Sequence, residues 1–162
     1  MGAVAAICWR LDGLPLALEL AAAKARFLDP ATLLSRLDRA LSAGWARDRS
    51  ERQRTMRATL DWSHDLLDGA QQGLFRRLAV FAGGFTWEAA EAVGSAGEED
   101  VLELLGGLAE QSLVIVDQDP GREARYGMLE PIRQYDLEKL DDGAEAEEIR
   151  GRHAAFFLAM AE

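Results

Sequence analysis

The sequence is poor in the residues on which most site chemistry depends. It has one cysteine, Cys8, two histidines, His64 and His153, and two lysines, Lys24 and Lys139. One thiol excludes an internal disulfide and removes any reason to infer an oxidising compartment. With two distant histidines, no zinc-ligand spacing is present. Lys24 precedes Ala25 and Lys139 precedes Leu140, so the Gly-Lys-Ser/Thr of a phosphate-binding loop is missing. No strand ending in acidic residues suited to magnesium appears before residue 112, and no Gly-x-Ser-x-Gly nucleophile arrangement occurs. No run approaches the roughly 20 apolar residues of a membrane span, and no basic stretch leads into an apolar one as in an export signal. The expectation is a cytoplasmic chain with no enzymatic activity of its own, no metal and no membrane partner.

Acidic residues are plentiful, 28 against 18 basic, for a net charge of −10. The excess is uneven: residues 1–50 balance at +2, residues 51–145 at −11 and the last 17 at −1. The middle of the chain therefore repels polyanions.

Helical periodicity dominates the rest. Residues 3–11 are apolar and alanine-rich and stop at Asp12-Gly13. Leu14-Pro15 opens a helix to about Phe27, with proline in the first turn, where its missing N–H costs nothing. Leucines and alanines surround most of that helix, as in a helix packed between others. Asp29-Pro30 starts a third, with Leu33, Leu34 and Leu37 on one face. Residues 42–54 are polar and charged and mark the best domain boundary. Ser50 with Gln53 fits a capping box, and Met56, Leu60, Ser63 and Leu67 then form one stripe with Trp62 and Leu66 beside it. After Asp68-Gly69, Leu74, Phe75, Leu78 and Phe81 define another helix closed by Gly83-Gly84. Thr86 caps a short helix through Val93. Residues 98–111 place Val101, Leu104, Leu105 and Leu108 at i, i+3, i+4 and i+7.

The period changes only at residues 112–117, which read as a strand, with Asp119-Pro120-Gly121 as the turn and residues 124–128 returning. A helix follows from Glu130 to Leu140. A last one carries Ile149, His153, Phe156, Phe157 and Met160 along one side. The fold class is thus mainly α: a small helical bundle in 1–50, a winged helix with a two-stranded β-hairpin in 51–142, and the start of a further helical, sensor or repeat region in 143–162.

The helix at 98–111 holds the position from which a winged helix reads DNA. It carries Glu98, Glu99, Asp100, Glu103 and Glu110 and no lysine or arginine; Gln111 at its end is the one side chain suited to base edges. Charge argues against DNA reading by this helix.

The stretch Gly13-Leu14-Pro15-Leu16-Ala17-Leu18 resembles the "GLPLAL" segment of the STAND class of ATPases, which contains the NB-ARC proteins. TMRATLDWSHDLL, FRRLAVFAGGFTWEAAEAV and YGMLEPIRQYDLEKL resemble the matching segments of actinobacterial LuxR-type and SARP-type transcriptional regulators of that class. Four segments in the right order cover essentially the whole chain. The resemblance implies a regulatory module relaying nucleotide state between a P-loop domain, absent from these residues, and a sensor region of the same protein. ADP or ATP would bind the full-length protein rather than this part, and exchange would permit self-association. The alternative is a winged-helix DNA-binding transcription factor domain.

Carried over residue by residue, the resemblance places Gly13, Leu14, Pro15 and Leu16 near a nucleotide, with Pro15 beside the adenine; on its own residues, Pro15 simply starts a helix. Where the class has Met-His-Asp, with histidine on the ADP β-phosphate, this chain has Met128-Leu129-Glu130. Leucine cannot donate to phosphate, so the direct latch is lost, and Glu130 is left to cap the helix it begins. Asp136 stands where such regulators have a small apolar residue, which predicts weak packing there. Arg47, Arg49 and Arg52, with Arg54 and Arg57, form the one basic cluster; it is either a solvated linker or an interdomain docking surface, and Trp45 beside it favours a contact.

Overall fold

The structure is a computed structural model and describes residues 2–42 and 50–162. In chain order the helices are α1 (Ala3–Arg10), α2 (Pro15–Lys24), α3 (Pro30–Ser42), α4 (Glu51–Asp65), α5 (Gly69–Leu78), α6 (Trp87–Gly94) and α7 (Val101–Glu110). Strands β1 (Ile115–Asp117) and β2 (Arg125–Gly127) follow, then α8 (Glu130–Asp141) and α9 (Ala146–Ala161). The fold class is the expected one, mostly helical with a small antiparallel sheet. The chain divides into two compact units, Met1–Leu66 and Leu67–Glu162.

In the first unit α1 packs on α3, while α2 and α3 pack on α4. Ile7, Leu11, Ala17, Ala21, Leu33, Leu37 and Trp62 share one buried cluster. Each fully buried Leu-sized side chain contributes about 2 kcal/mol by leaving water. Because Ala58 and Trp62 of α4 are buried, α4 belongs to this unit, whereas the sequence reading opened the second domain at residue 51. Asp29 caps α3, its Oδ1 accepting from the N–H groups of Ala31 and Thr32 at 3.1 and 3.0 Å. Ser50 Oγ accepts from the Gln53 N–H at 3.4 Å at the start of α4.

The second unit holds α5, α6 and α7, the β1–β2 hairpin, α8 laid on α5, and α9 laid on α6. A complete capping box opens α5: Asp68 Oδ1 accepts from the Gln71 N–H at 2.8 Å, and Gln71 Oε1 from the Asp68 N–H at 3.2 Å. Leu74, Phe75 and Leu78 on its inner face are buried, and Leu74 and Leu78 meet Gly94, where an added Cβ would lie 2.5 Å from Leu74 Cδ1. In the hairpin, Ile115, Val116 and Asp117 pair with Gly127, Tyr126 and Arg125. Phe85 forms a further antiparallel bridge to Tyr126, with both N–H···O bonds at 2.8 Å, and so occupies a third-strand position. The strands are shorter than the sequence pattern suggested because Leu113 and Val114 turn into the core instead of pairing.

Two helices end in the same way, with a residue other than glycine in the left-handed region. After α1 the Asp12 N–H bonds to Trp9 O at 3.1 Å and the Gly13 N–H to Cys8 O at 3.2 Å. After α7 the Ser112 N–H bonds to Ala109 O and the Leu113 N–H to Leu108 O, both at 3.0 Å. Both are Schellman stops, with Asp12 (φ 53) and Ser112 (φ 59) where glycine is usual. Ser112→Gly is therefore expected to stabilise the chain by about 0.5–1 kcal/mol. Gly84 has the opposite requirement: its φ is 85, and an added Cβ would sit 2.9 Å from Tyr126 O. Gly84→Ala should cost about 2 kcal/mol, whereas Gly83→Ala, which meets nothing within 4 Å, should change little; urea denaturation of the three variants measures all of this.

Candidate functional site

The winged-helix face of the second unit begins with α7. Asp100 caps it, Oδ1 accepting from the N–H groups of Leu102 and Glu103 at 3.0 and 3.2 Å. Val101, Leu105 and Leu108 are buried, which leaves Leu102, Glu103, Gly106 and Glu110 on the exposed face. Leu102 is 52% exposed. Leading into the helix, Glu98 and Glu99 are exposed as well. The face contains no cation.

The hairpin is the other half of a winged helix's contact surface. Ile115, Val116 and Asp117 of β1 are all exposed. Its cations are Arg122, paired loosely with Asp119 at 3.7 Å, and Arg125, exposed on β2. Glu123 lies against Glu88 of α6, and its hydrogen bond with that carboxylate and the charge beside it raise the Glu123 pKa. Residues 67–141 carry fifteen acidic and six basic side chains, a balance of −9.

Most remaining cations of this unit are engaged inside it. Arg76 and Arg77 hold the two oxygens of Glu145 at 2.7 and 3.0 Å, and Arg77 also donates to Gly94 O. Arg133 joins Glu130 at 2.9 Å and donates to Ala79 O at 3.1 Å. Arg150 and Arg152 pair with Asp141 and Glu148. Nothing in the sequence spacing pointed to the Arg76–Arg77–Glu145 clamp, whose partners are 69 and 68 residues apart.

The residues carried over from the resemblance fall in different units. Gly13 (φ 63) closes the turn after α1, Leu14 is the N-cap of α2, and Pro15 is its first residue. Gly13 and Pro15 are exposed and Leu14 and Leu16 half-buried. Arg52 Nε donates to Asp12 Oδ2 at 2.9 Å, so this member of the basic cluster engages the GLPLAL turn of its own unit. Trp45, Arg47 and Arg49 lie outside the described residues.

In the second unit Met128 is half-buried, Leu129 is the exposed N-cap of α8, and Glu130 is exposed. Glu130 makes no cap; its carboxylate accepts from Arg133 and Gln134, which lower its pKa to about 2.

Among the described residues, one lysine and one carboxylate are buried. Lys24 is 2% exposed, donates to Leu20 O at 3.1 Å and lies 5.3 Å from the Trp62 ring centre; burial lowers its pKa to about 8. Asp136 of α8 is fully buried beside Ile132, Tyr135 and Leu140, and neither carboxylate oxygen has a hydrogen-bond partner among the described residues. The weak packing expected at Asp136 is therefore absent, because its helix presses this face onto α5. Among the described residues no cluster of three or more metal-ligating side chains occurs, and no helix is long and apolar enough to cross a membrane.

Residues 67–141 match the family of winged helix-turn-helix domains, the span of α5 to α8. One protein of Mycobacterium tuberculosis and one of Mycobacterium bovis, each named as a candidate HTH-type transcriptional regulator, are 46% identical over 164 residues. The alignment covers 98% of this chain and 18% of each of theirs. An uncharacterized protein of Mycobacterium tuberculosis is 45% identical over 156 residues, covering 93% of this chain and 39% of its own. This chain thus spans well under half the length of the relatives it matches. No solved structure matches it.

Burial raises the Asp136 pKa well above the usual carboxylate range, against the opposing pull of Arg76 and Lys139. Below the unfolded value of about 3.9 both states are protonated and ionisation takes nothing from stability. As pH rises beyond that, the unfolded chain ionises at Asp136 while the folded one resists, so folding loses stability. Asp136→Ala should accordingly stabilise the chain by about 1–3 kcal/mol at pH 7, with the gain shrinking towards pH 4. Urea midpoints at the two pH values check this, and an unchanged or lower midpoint at pH 7 counts against it.

Proposed function

We propose that this chain is the winged helix-turn-helix segment of a transcriptional regulator. The observation that carries the reading is a coincidence of boundaries: the family match at 67–141 spans the three helices, hairpin and closing helix of the second unit. The names given to the 46%-identical relatives agree with it. No catalytic role is proposed.

Among the ways such a segment acts, DNA contact is favoured by the comparisons over relay of nucleotide state. The charge distribution restricts how it occurs. With an acidic α7, base reading from the major groove lacks its donors, and phosphate contact falls to Arg122 and Arg125 of the wing. Two phosphate contacts give a slope of log K against log salt of about −2. Fluorescence anisotropy of a 30-base-pair duplex between 50 and 200 mM salt is expected to show weak, sequence-independent binding with that slope, abolished in the Arg122→Ala/Arg125→Ala double variant. Binding that survives this double variant, or no binding at 50 mM salt, overturns the wing contact.

A second reading, relay of nucleotide state to P-loop and sensor domains of a longer protein, is favoured by one observation. The Gly13–Leu16 turn combines a Schellman stop, a proline and the Arg52–Asp12 pair, yet exposes Pro15. An exposed proline of fixed φ suits the edge of a ligand site completed by another domain. Calorimetry with ADP and ATP is expected to detect no binding by this chain. A longer protein including the preceding domain should bind, about tenfold more weakly after Pro15→Ala. Unchanged affinity in that variant, or micromolar binding by the present chain, counts against this reading.

A further inference from the structure

The exposed face of α7 combines three features that its own unit does not explain. The first is Leu102, half exposed at the start of the helix. Gly106, one turn further along the same face, is the second. A glycine inside a helix costs about 1 kcal/mol relative to alanine, and the usual compensation is a close neighbour. Its successor Gly107 has one, since a Cβ there would lie 2.5 Å from Gln71 Nε2; a Cβ on Gly106 would meet nothing within 4 Å. The third feature is charge. Glu98, Glu99, Asp100, Glu103 and Glu110 enter no ion pair among the described residues, whereas Arg76, Arg77, Arg122, Arg133, Arg150 and Arg152 are paired with other carboxylates.

We propose that this face of α7 docks a cationic amphipathic helix of a protein partner, seated on Leu102 and Gly106, with the exposed Glu103 and Glu110 on the helix and Glu98 and Glu99 leading into it as the acidic flank. Leu102 supplies the apolar contact. The missing side chain at Gly106 lowers the ridge between Leu102 and Glu110, so a second helix axis can approach more closely than over an alanine or larger residue. The surrounding carboxylates select lysine and arginine on the partner's flanks and repel phosphate. The surface is distinct from the wing and does not depend on the DNA contact proposed there.

The test is calorimetry of the whole chain with an 18-residue leucine–lysine amphipathic peptide at low and moderate salt. Micromolar binding that weakens with salt is expected. Gly106→Ala and Glu103→Lys should each weaken it at least about fivefold, while Glu147→Lys, the same charge change on exposed α9, should alter it less than twofold. The urea midpoint of Gly106→Ala should rise, since alanine favours the helix, which separates lost docking from lost folding. The proposal is overturned if the peptide does not bind, if the Glu103 and Glu147 variants lose affinity equally, or if Gly106→Ala binds as well as the parent.

Discussion

Burial of the inner face of α5 is the constraint on which the second unit depends. Leu74, Phe75 and Leu78 are almost without solvent contact, and α6, α7 and α8 each rest on this helix. Its ends are arranged for that duty. Asp68 and Gln71 satisfy the first donors, and Arg76 and Arg77 at the far end hold Glu145 at the N-terminus of α9. The wing hangs from the same core through Phe85, which follows Gly84 at a sharp left-handed turn and bridges Tyr126. A helix buried on several sides leaves its neighbours little freedom, so the outward face of α7 is decided by which of its residues α5 and α6 cover.

That arrangement also settles where the charges go. The cations are spent on closure: Arg133 ties α8 to the end of α5 through Ala79 O, and Arg152 ties α9 to Ser95 O beyond α6. Such pairs are worth little as isolated surface bridges, but those that also donate to a backbone carbonyl join separate elements. What remains exposed on α7 is acidic. A fold often used to approach DNA thus presents the wrong sign of charge on the helix that would enter the groove, and leaves two arginines on the wing.

Several features were legible because they are local. Helical spacing of Leu74, Phe75 and Leu78 marked the buried face of α5, that of Val101, Leu105 and Leu108 the buried face of α7, and Thr86 and Asp29 cap the helices they precede. The turn at Asp119-Pro120-Gly121 joins the two strands, and the lack of a cation on α7 could be read directly. Others were not legible. Asp136 resembles any solvent-facing residue of a polar helix until α5 is laid over it, and Glu130, placed to cap α8, instead holds Arg133 and Gln134. Phe85 carries no strand signal, since a one-residue bridge has no period.

By itself the sequence determined the helical class, the order of three helices and a hairpin, the uneven negative charge, and the absence of a phosphate-binding loop. Each of these depends on residue type and short spacing, which act within a few turns of chain. Tertiary structure alone decided that α4 packs with α2 and α3, that Lys24 and Asp136 are buried, that Arg52 holds the Asp12 turn, and that Arg76, Arg77 and Arg133 of the second unit are largely covered by their partners. Those outcomes depend on which surfaces meet across tens of residues, and there the gain from covering apolar faces outweighs the local preference of a charged side chain for water.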